Sequence, residues 1–301
     1  MSSTELYSEK LLSGKKVAAH VNERVAGQVA KLKEQGVEPK LSVILVGDDP
    51  ASQVYVRRKE KSCQKLGILS QTYRLSAETT EQDLLKLIED LNNDPSNHGI
   101  LVQLPLPGHI SEDTILLSVH PRKDVDCFHP QNVGLLVSGK PFVLPCTPAG
   151  IVEILQYYKI STEGRHVVVL GRSNIVGKPM ANLLMQKNSR ANATVTVAHS
   201  RTKNIAQFTR QADIVIAAIG KARFLTADMV KPGAVVIDVG INRIEANNEK
   251  GYALVGDADF EGLVEKVSAI TPVPGGVGPM TIAMLMQNTV TAAAAQTEAH
   301  I

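Results

Sequence analysis

Short apolar runs alternate with amphipathic stretches along almost the whole chain, and this alternation decides the fold class. Strands are expected at Lys40-Leu-Ser-Val-Ile-Leu-Val46, Gln71-Thr-Tyr-Arg-Leu75, Gly99-Ile-Leu-Val-Gln103 and His166-Val-Val-Val-Leu170, and again at 193–198, 213–219 and 234–239. Helical periodicity fills the gaps, at 15–35, after Pro50, from a Thr80 cap through Leu91, and around 178–187, 203–211 and 226–230. Strand followed by helix, repeated, implies an α/β protein with mostly parallel sheets. A chain of 301 residues suits two such domains better than one. Pro145-Cys-Thr-Pro148 is the expected hinge, with Thr147 capping a helix from Pro148 to about Tyr158. The expected division is therefore a first domain over 1–146, a Rossmann-like doubly wound domain over 147–278, and a final apolar helix over 279–301 that packs back on the first domain.

Composition excludes several classes. Lys and Arg total 32 against 30 Asp and Glu, a net charge of +2, and no basic cluster is dense enough for a nucleic-acid surface. Cys63, Cys127 and Cys146 are odd in number and follow no metal-ligand spacing, so no metal is expected and the thiols read as reduced, in a cytoplasmic protein. The opening Met1-Ser-Ser-Thr-Glu-Leu-Tyr-Ser-Glu-Lys10 has no apolar signal core. The apolar runs are strand-length, far short of the roughly 20 residues of a membrane helix.

Lys59 is the residue with the most chemical content. In Tyr55-Val-Arg-Arg-Lys59-Glu-Lys-Ser-Cys63-Gln-Lys-Leu66, positions 55, 59, 63 and 66 share one face at helical spacing, while Arg57, Arg58, Glu60 and Lys61 make up a solvated one. A lysine among apolar groups loses hydration, and its pKa falls toward the range useful for acid–base work. The competing reading is a lysine that snorkels along the helix edge to water.

The second half carries a nucleotide signature. His166-Val-Val-Val-Leu-Gly171-Arg172-Ser173-Asn-Ile-Val-Gly177-Lys-Pro179 reads as strand, glycine turn and helix, where a doubly wound fold presents a helix N-terminus to a pyrophosphate. The spacing departs from G-x-G-x-x-G, because Ser173 replaces the second glycine and the last glycine comes one residue late. At the end of the following strand NAD-binding folds carry a carboxylate, and here the chain reads His199-Ser200-Arg201-Thr202-Lys203. A hydroxyl and cations suit a 2′-phosphate, with Arg172 within reach of the same group, so NADP is the expected cofactor. Gly220 and Gly240, followed by Ile241, end two further strands at positions where a flat cofactor can lie against backbone.

Four blocks together resemble the bifunctional methylenetetrahydrofolate dehydrogenase/cyclohydrolase family over nearly the full length. They are Ala51-Ser-Gln-Val-Tyr55 through Lys59; Gly99 through Gln103-Leu-Pro-Leu-Pro107 with Lys123-Asp-Val-Asp126; Gly171 through Pro179; and Thr271-Pro-Val-Pro274-Gly275-Gly276-Val-Gly-Pro-Met-Thr281. The resemblance implies oxidation of a methylenetetrahydrofolate with NADP, hydrolysis of the methenyl product, and a role in one-carbon metabolism. It implies a folate domain, an NADP domain, a cleft between them, and a homodimer formed through the nucleotide domains. Tyr55, Lys59, Gln103 and Asp126 are then expected at the folate end, with Lys59 as the acid–base group, Gln103 orienting it, and Pro274, Gly275 and Gly276 approaching the substrate. One departure stands out: Cys127 occupies a position where the family usually has glycine. The ligase segment of some relatives is absent, so no formate–folate ligase activity is expected. Taken singly, Gln103 also reads as a strand cap, Asp126 as a turn residue and Tyr55 as core. Two other functions fit less of the pattern: an NADP-dependent dehydrogenase of another small metabolite, of the shikimate type, and a binding protein without turnover.

Overall fold

The computed structural model describes residues 7–248 and 251–299. Contacts divide it into two compact units, one of Ala19–Cys146 with the chain from Ile282 onward, the other of the chain up to Ala18 with Thr147–Thr281.

The first unit is built on a three-stranded parallel sheet of β1 (Lys40–Val46), β2 (Leu69–Leu75) and β3 (Gly99–Val102), in the order β2-β1-β3. β1 is central and buried after its first residue, as expected of a strand covered on both faces. Helix Pro50–Leu66 joins β1 to β2, with Asp49 accepting the Ser52 N–H at 2.7 Å, Pro50 in its first turn, and Gly67 ending it in the left-handed region. Helix Glu81–Asn93 follows β2. Thr80 caps it, accepting the Asp83 N–H at 3.1 Å and donating to the Asp83 carboxylate at 2.7 Å. Leu84 and Ile88 of that helix pack with Ile44, Val46, Ile100 and Val102 in one apolar cluster.

The second unit holds a five-stranded parallel sheet of β4 (His166–Leu170), β5 (Thr194–Ala198), β6 (Ile214–Ala217), β7 (Val235–Asp238) and a short edge strand. Between them in the chain comes an antiparallel hairpin of β8 (Asn242–Glu245) and β9 (Tyr252–Val255), and the edge strand is β10 (Ala269–Ile270). The order is β10-β7-β6-β4-β5. Val168, Leu170, Val215, Ala217, Val236 and Ile270 form its core together with Leu263 and Val267.

Several expectations need correction. The residues up to Ala18 belong with the second unit, because Leu11 bridges to Ile270 and the Leu12 N–H donates to Ile270 O at 2.9 Å, extending the sheet edge beside β10. A lone Leu-Leu pair carries no period from which that could be read. Helix Cys146–Tyr157 starts before Thr147, so Thr147 is not its cap; the hydroxyl shares a 2.9 Å hydrogen bond with that of Thr281. The stretch expected as helix at 226–230 is a single 3-10 turn, Ala227–Met229. The hairpin and the short helices Glu112–Ser118 and Pro130–Val137 went unforeseen, being too short to display a period.

The final helix, Val277–Thr297, crosses the unit boundary after Thr281. Within the first unit its buried Asn288 donates through Nδ2 to Val125 O at 2.8 Å and Leu144 O at 2.7 Å. Two carbonyls of irregular backbone thus depend on one amide. Asn288→Ala leaves Leu144 O unpartnered and Val125 O with only the Cys146 thiol at 3.5 Å, and is expected to destabilise the chain by about 1–3 kcal/mol, the usual cost of orphaned buried polar groups. The check is the unfolding midpoint in urea against wild type; an unchanged midpoint refutes the dependence.

Candidate functional site

Lys59 lies on the inner face of helix Pro50–Leu66, where the buried residues are Ser52, Val56, Lys59, Cys63 and Leu66. The stripe is displaced from the one read in the sequence: Val56 takes the inner position, and Tyr55, one turn before Lys59, is half-buried at its edge. Lys59 is only 9% exposed. Its Nζ donates to Gln103 Oε1 at 3.0 Å. Gln103 follows β3 directly; its backbone N–H donates to Ile44 O at 2.8 Å, and its Nε2 to Leu104 O at 2.7 Å. The second bond turns the amide oxygen toward Lys59 and leaves the amine facing an acceptor that carries no charge. Burial lowers the Lys59 pKa, and the Asp126 carboxylate opposes that shift without cancelling it.

Asp126 sits in a loop that the residues around it hold rigidly. Asp124 accepts the Phe128 N–H at 3.2 Å, the His129 N–H at 2.8 Å and Asn132 Nδ2 at 2.8 Å. Lys123 Nζ donates to Leu91 O at 2.9 Å and Asp94 O at 2.7 Å, tying off the end of helix Glu81–Asn93. In the Lys123-Asp-Val-Asp126 block, then, the first two charged residues brace the loop, and the third faces the Cys146 thiol. Desolvation pushes the Asp126 carboxyl up to about 6, with Lys59 pulling the other way. Cys146 Sγ is 3.7 Å from Asp126 Oδ1 and 3.5 Å from Val125 O. The thiol, its pKa raised by burial and by Asp126, is protonated at neutral pH and donates. The sequence reading missed Cys146 because Pro145-Cys-Thr-Pro148 carries a hinge signal and no chemical one. Cys127 has φ 62°, the left-handed region where glycine costs least, which accounts for the glycine usual there in the family it resembles.

In the five-stranded unit the nucleotide residues gather at the carboxyl edge of the sheet. β4 lies between β5 and β6, and the chain leaves β4 for β5 on one side while β6 continues to β7 on the other, so the switch point is between β4 and β6. Gly171 follows β4 with φ 121°, and a Cβ there would lie 2.0 Å from Ala218 O, so the turns after β4 and β6 touch. Gly177 opens helix Gly177–Leu184, and a Cβ on it would lie 2.3 Å from Gly171 O. Ser173 Oγ accepts the N–H groups of Val176 at 3.1 Å and Gly177 at 3.4 Å. Among the described residues, the N–H groups of Arg172, Asn174 and Ile175 take no partner. They leave an exposed cradle of donors that fits a phosphate. Leu170 pairs with Ala198 in register, so Arg172 and the exposed Ser200 and Arg201 follow adjacent strand ends. The bond from the Thr202 N–H to His199 O at 2.7 Å holds Ser200 and Arg201 at the tip of a turn. Gly220 and Ile241 are exposed, whereas Gly240 is buried. Pro274, Gly275 and Gly276 belong to this unit and not to the one that holds Lys59; Gly275 O accepts the Lys15 N–H at 3.2 Å. No group of three or more His, Cys, Asp or Glu that could hold a metal occurs among the described residues, and none of their helices is long and apolar enough to cross a membrane.

Comparison with known proteins agrees with both halves. Residues 12–126 match the family described as tetrahydrofolate dehydrogenase/cyclohydrolase, catalytic domain, and residues 145–297 its NAD(P)-binding domain. The bifunctional protein FolD of Chloroherpeton thalassium is 60% identical over 284 residues, covering 93% of this chain and 96% of its own. The crystal structure of the bifunctional FolD methylenetetrahydrofolate dehydrogenase/cyclohydrolase of Campylobacter jejuni is 52% identical with a TM-score of 0.89, over 95% of this chain and 98% of that one. The Trypanosoma brucei enzyme, crystallised with NADP and an inhibitor, is 38% identical with a TM-score of 0.90, over 96% and 98% of the two chains.

The Lys59 site makes a direct electrostatic prediction. Gln103→Glu replaces a neutral acceptor with an anion, which favours the ammonium. The Lys59 pKa, followed by NMR of 13C-dimethylated lysines, is expected below the usual lysine range in wild type and higher in the variant. A Lys59 resonance that titrates identically in the two proteins contradicts the assigned geometry.

Proposed function

The chain belongs to the tetrahydrofolate dehydrogenase/cyclohydrolase family and is a bifunctional enzyme of that kind; we propose that Lys59, Gln103, Asp126 and Tyr55 carry its folate chemistry and that NADP is its hydride acceptor. The reactions are oxidation of 5,10-methylenetetrahydrofolate to the 5,10-methenyl cation and hydrolysis of that cation to 10-formyltetrahydrofolate. The observation that carries the assignment of residues is the desolvated Lys59 amine hydrogen-bonded to a neutral amide.

When bound, NADP supplies a hydride acceptor. The oxidation moves no proton in its transfer step, so what it asks of the protein is orientation of the folate. Hydrolysis asks for proton transfers. Water adds to the methenyl carbon and loses a proton, the bond from that carbon to N5 breaks, and N5 takes up a proton as the carbonyl forms and the second water proton leaves. Lys59, with its pKa lowered, accepts the first proton as an amine and returns one to N5 as an ammonium. Gln103 Oε1 holds the Nζ in position throughout. Asp126 pairs with the donor-rich amino-pyrimidine edge of the pterin, and Tyr55, half-buried one turn away, stacks on the ring. In the nucleotide unit the donors of the Gly171 turn, with Ser173 and Gly177 shaping it, hold the pyrophosphate. Arg172, Ser200 and Arg201 hold the 2′-phosphate, and the exposed Gly220 and Ile241, with Gly240 behind them, line the remaining length. The proposal extends to a homodimer through the nucleotide units, supported by β5 standing at a sheet edge with Val197 40% exposed; sedimentation as a monomer at micromolar concentration counts against it. A cytoplasmic location suits the three buried free cysteines.

Lys59→Met is expected to abolish methenyl hydrolysis, measured by the decay of methenyl absorbance, while NADPH formation partly survives. Hydrolysis at the wild-type rate excludes Lys59 as the acid–base group. NADP is expected to exceed NAD in kcat/KM by tenfold or more, since a hydrogen bond to a charged group contributes about 1.5–3 kcal/mol, and Arg172→Ala is expected to erode the preference. Equal values for the two cofactors in wild type remove the case for these residues. For Asp126 the sign follows from its raised pKa of about 6: the carboxylate is ionised above that pH and protonated below it, so kcat/KM for the folate falls as pH drops through about 6. Asp126→Asn is expected to lower kcat/KM at neutral pH and to flatten that arm while leaving NADP affinity unchanged; an arm that persists in the variant belongs to another group.

A further inference from the structure

Behind the nucleotide turns lies a pair of buried carboxylates with no part in the chemistry so far. Asp238 ends β7 and is 3% exposed; Asp257 follows β9 and is fully buried. Asp238 accepts the N–H groups of Gly240 at 3.0 Å, Asp257 at 2.8 Å and Ala258 at 2.9 Å. Its own N–H donates to Thr271 Oγ1 at 2.7 Å. Asp257 reaches outward. Its Oδ2 accepts the Gly220 N–H at 2.7 Å, and its Oδ1 accepts Asn242 Nδ2 at 2.9 Å. The chain is built around these two side chains: a Cβ on Gly240 would stand 2.2 Å from Asp257 Oδ1, and one on Gly256 would stand 1.7 Å from Asp238 Oδ2. Gly240 is thus glycine to admit a carboxylate from behind, whatever faces it in front.

On its inner side the turn is tied by the Ala218 N–H to Leu170 O at 2.8 Å and by Ile219 packed on the core, whereas Gly220 at its tip is held by the Asp257 carboxylate. Gly220 is exposed, and a Cβ there would meet nothing within 4 Å. The same turn supplies Ala218 O, against which Gly171 packs. Moving it therefore alters the wall on which the phosphate-binding turn leans. We infer that Asp257 is a positioning residue for dinucleotide binding, anchored by Asp238 and fixing the Gly220 turn through a charge-assisted hydrogen bond. The inference rests on the reading above that the Gly220 turn lies against the cofactor.

Two variants test it on the full chain. Asp257→Asn offers one acceptor and one donor group where two donors, the Gly220 N–H and Asn242 Nδ2, converge, so one of them loses its partner. Asp257→Asn combined with Asn242→Asp exchanges the two side-chain types: the new amide oxygen accepts from Gly220, and the new amide nitrogen donates to the introduced carboxylate. NADP affinity is measured by calorimetry, affinity for a folate analogue is measured in parallel, and amide hydrogen exchange is followed over 218–220. The single variant is expected to weaken NADP binding about tenfold or more, to leave the folate analogue within about twofold, and to speed exchange at 218–220. The double variant is expected to recover most of the NADP affinity and the slow exchange. Unchanged NADP affinity with unchanged exchange in Asp257→Asn overturns the inference. Unchanged affinity with faster exchange overturns it as well, and shows that the fault lies in placing Gly220 at the cofactor. A folded double variant that does not recover affinity, or failure of both variants to fold, makes Asp257 a structural residue and equally overturns the inference. A wild-type chain that binds no dinucleotide is the separate failure of the functional reading.

Discussion

Parallel strand pairing is the constraint on which everything else here depends. Parallel neighbours need crossover connections, so every strand in a sheet points the same way and every loop that follows a strand emerges at one edge. In the first unit this brings Gln103, after β3, against Lys59 in the helix that follows β1. In the second it gathers the turns after β4, β5, β6 and β7 along one edge, although they lie far apart in sequence. Neither site needs a special architecture, because each occupies the edge the sheet leaves open.

The two edges are then differentiated by solvation. At the first, Lys59 and Asp126 are both withdrawn from water, and each moves toward its neutral form while their mutual attraction opposes the shift. Burying a charge is expensive unless it is paired, and here the pairing is left incomplete. The groups that complete the site, the Gln103 amide and the Cys146 thiol, carry no charge at neutral pH. The result is a carboxyl raised to about 6 beside an amine held below the usual lysine range. At the second edge Arg172, Ser200 and Arg201 remain exposed beside unpartnered backbone N–H groups, the arrangement of a surface that waits for an anion. Its carboxylates are buried: Asp238 and Asp257 accept backbone N–H groups and so shape the turns.

The alternation of apolar strand and amphipathic helix, read along the chain, was sufficient for the α/β class, for the strands of both sheets except the two-residue edge strand β10, and for the glycine turn, because those depend on local periodicity and on backbone conformations that few residues adopt. Lys59 stood out for the same reason: its spacing from Cys63 and Leu66 is a helical period. The four motif blocks carried the family. Only the tertiary structure decided what depends on groups distant in sequence. It placed Val56 inward and Tyr55 at the stripe's edge, set Gln103 Oε1 against the lysine, and brought Cys146 to Asp126. It moved the residues up to Ala18 into the nucleotide unit through a strand edge with no sequence period. It also gave Gly240 a reason to be glycine that no turn propensity contains, namely the Asp257 carboxylate behind it. Local pattern fixes what a segment becomes; which polar atoms meet, and hence which of them lose water, is set only when the segments pack.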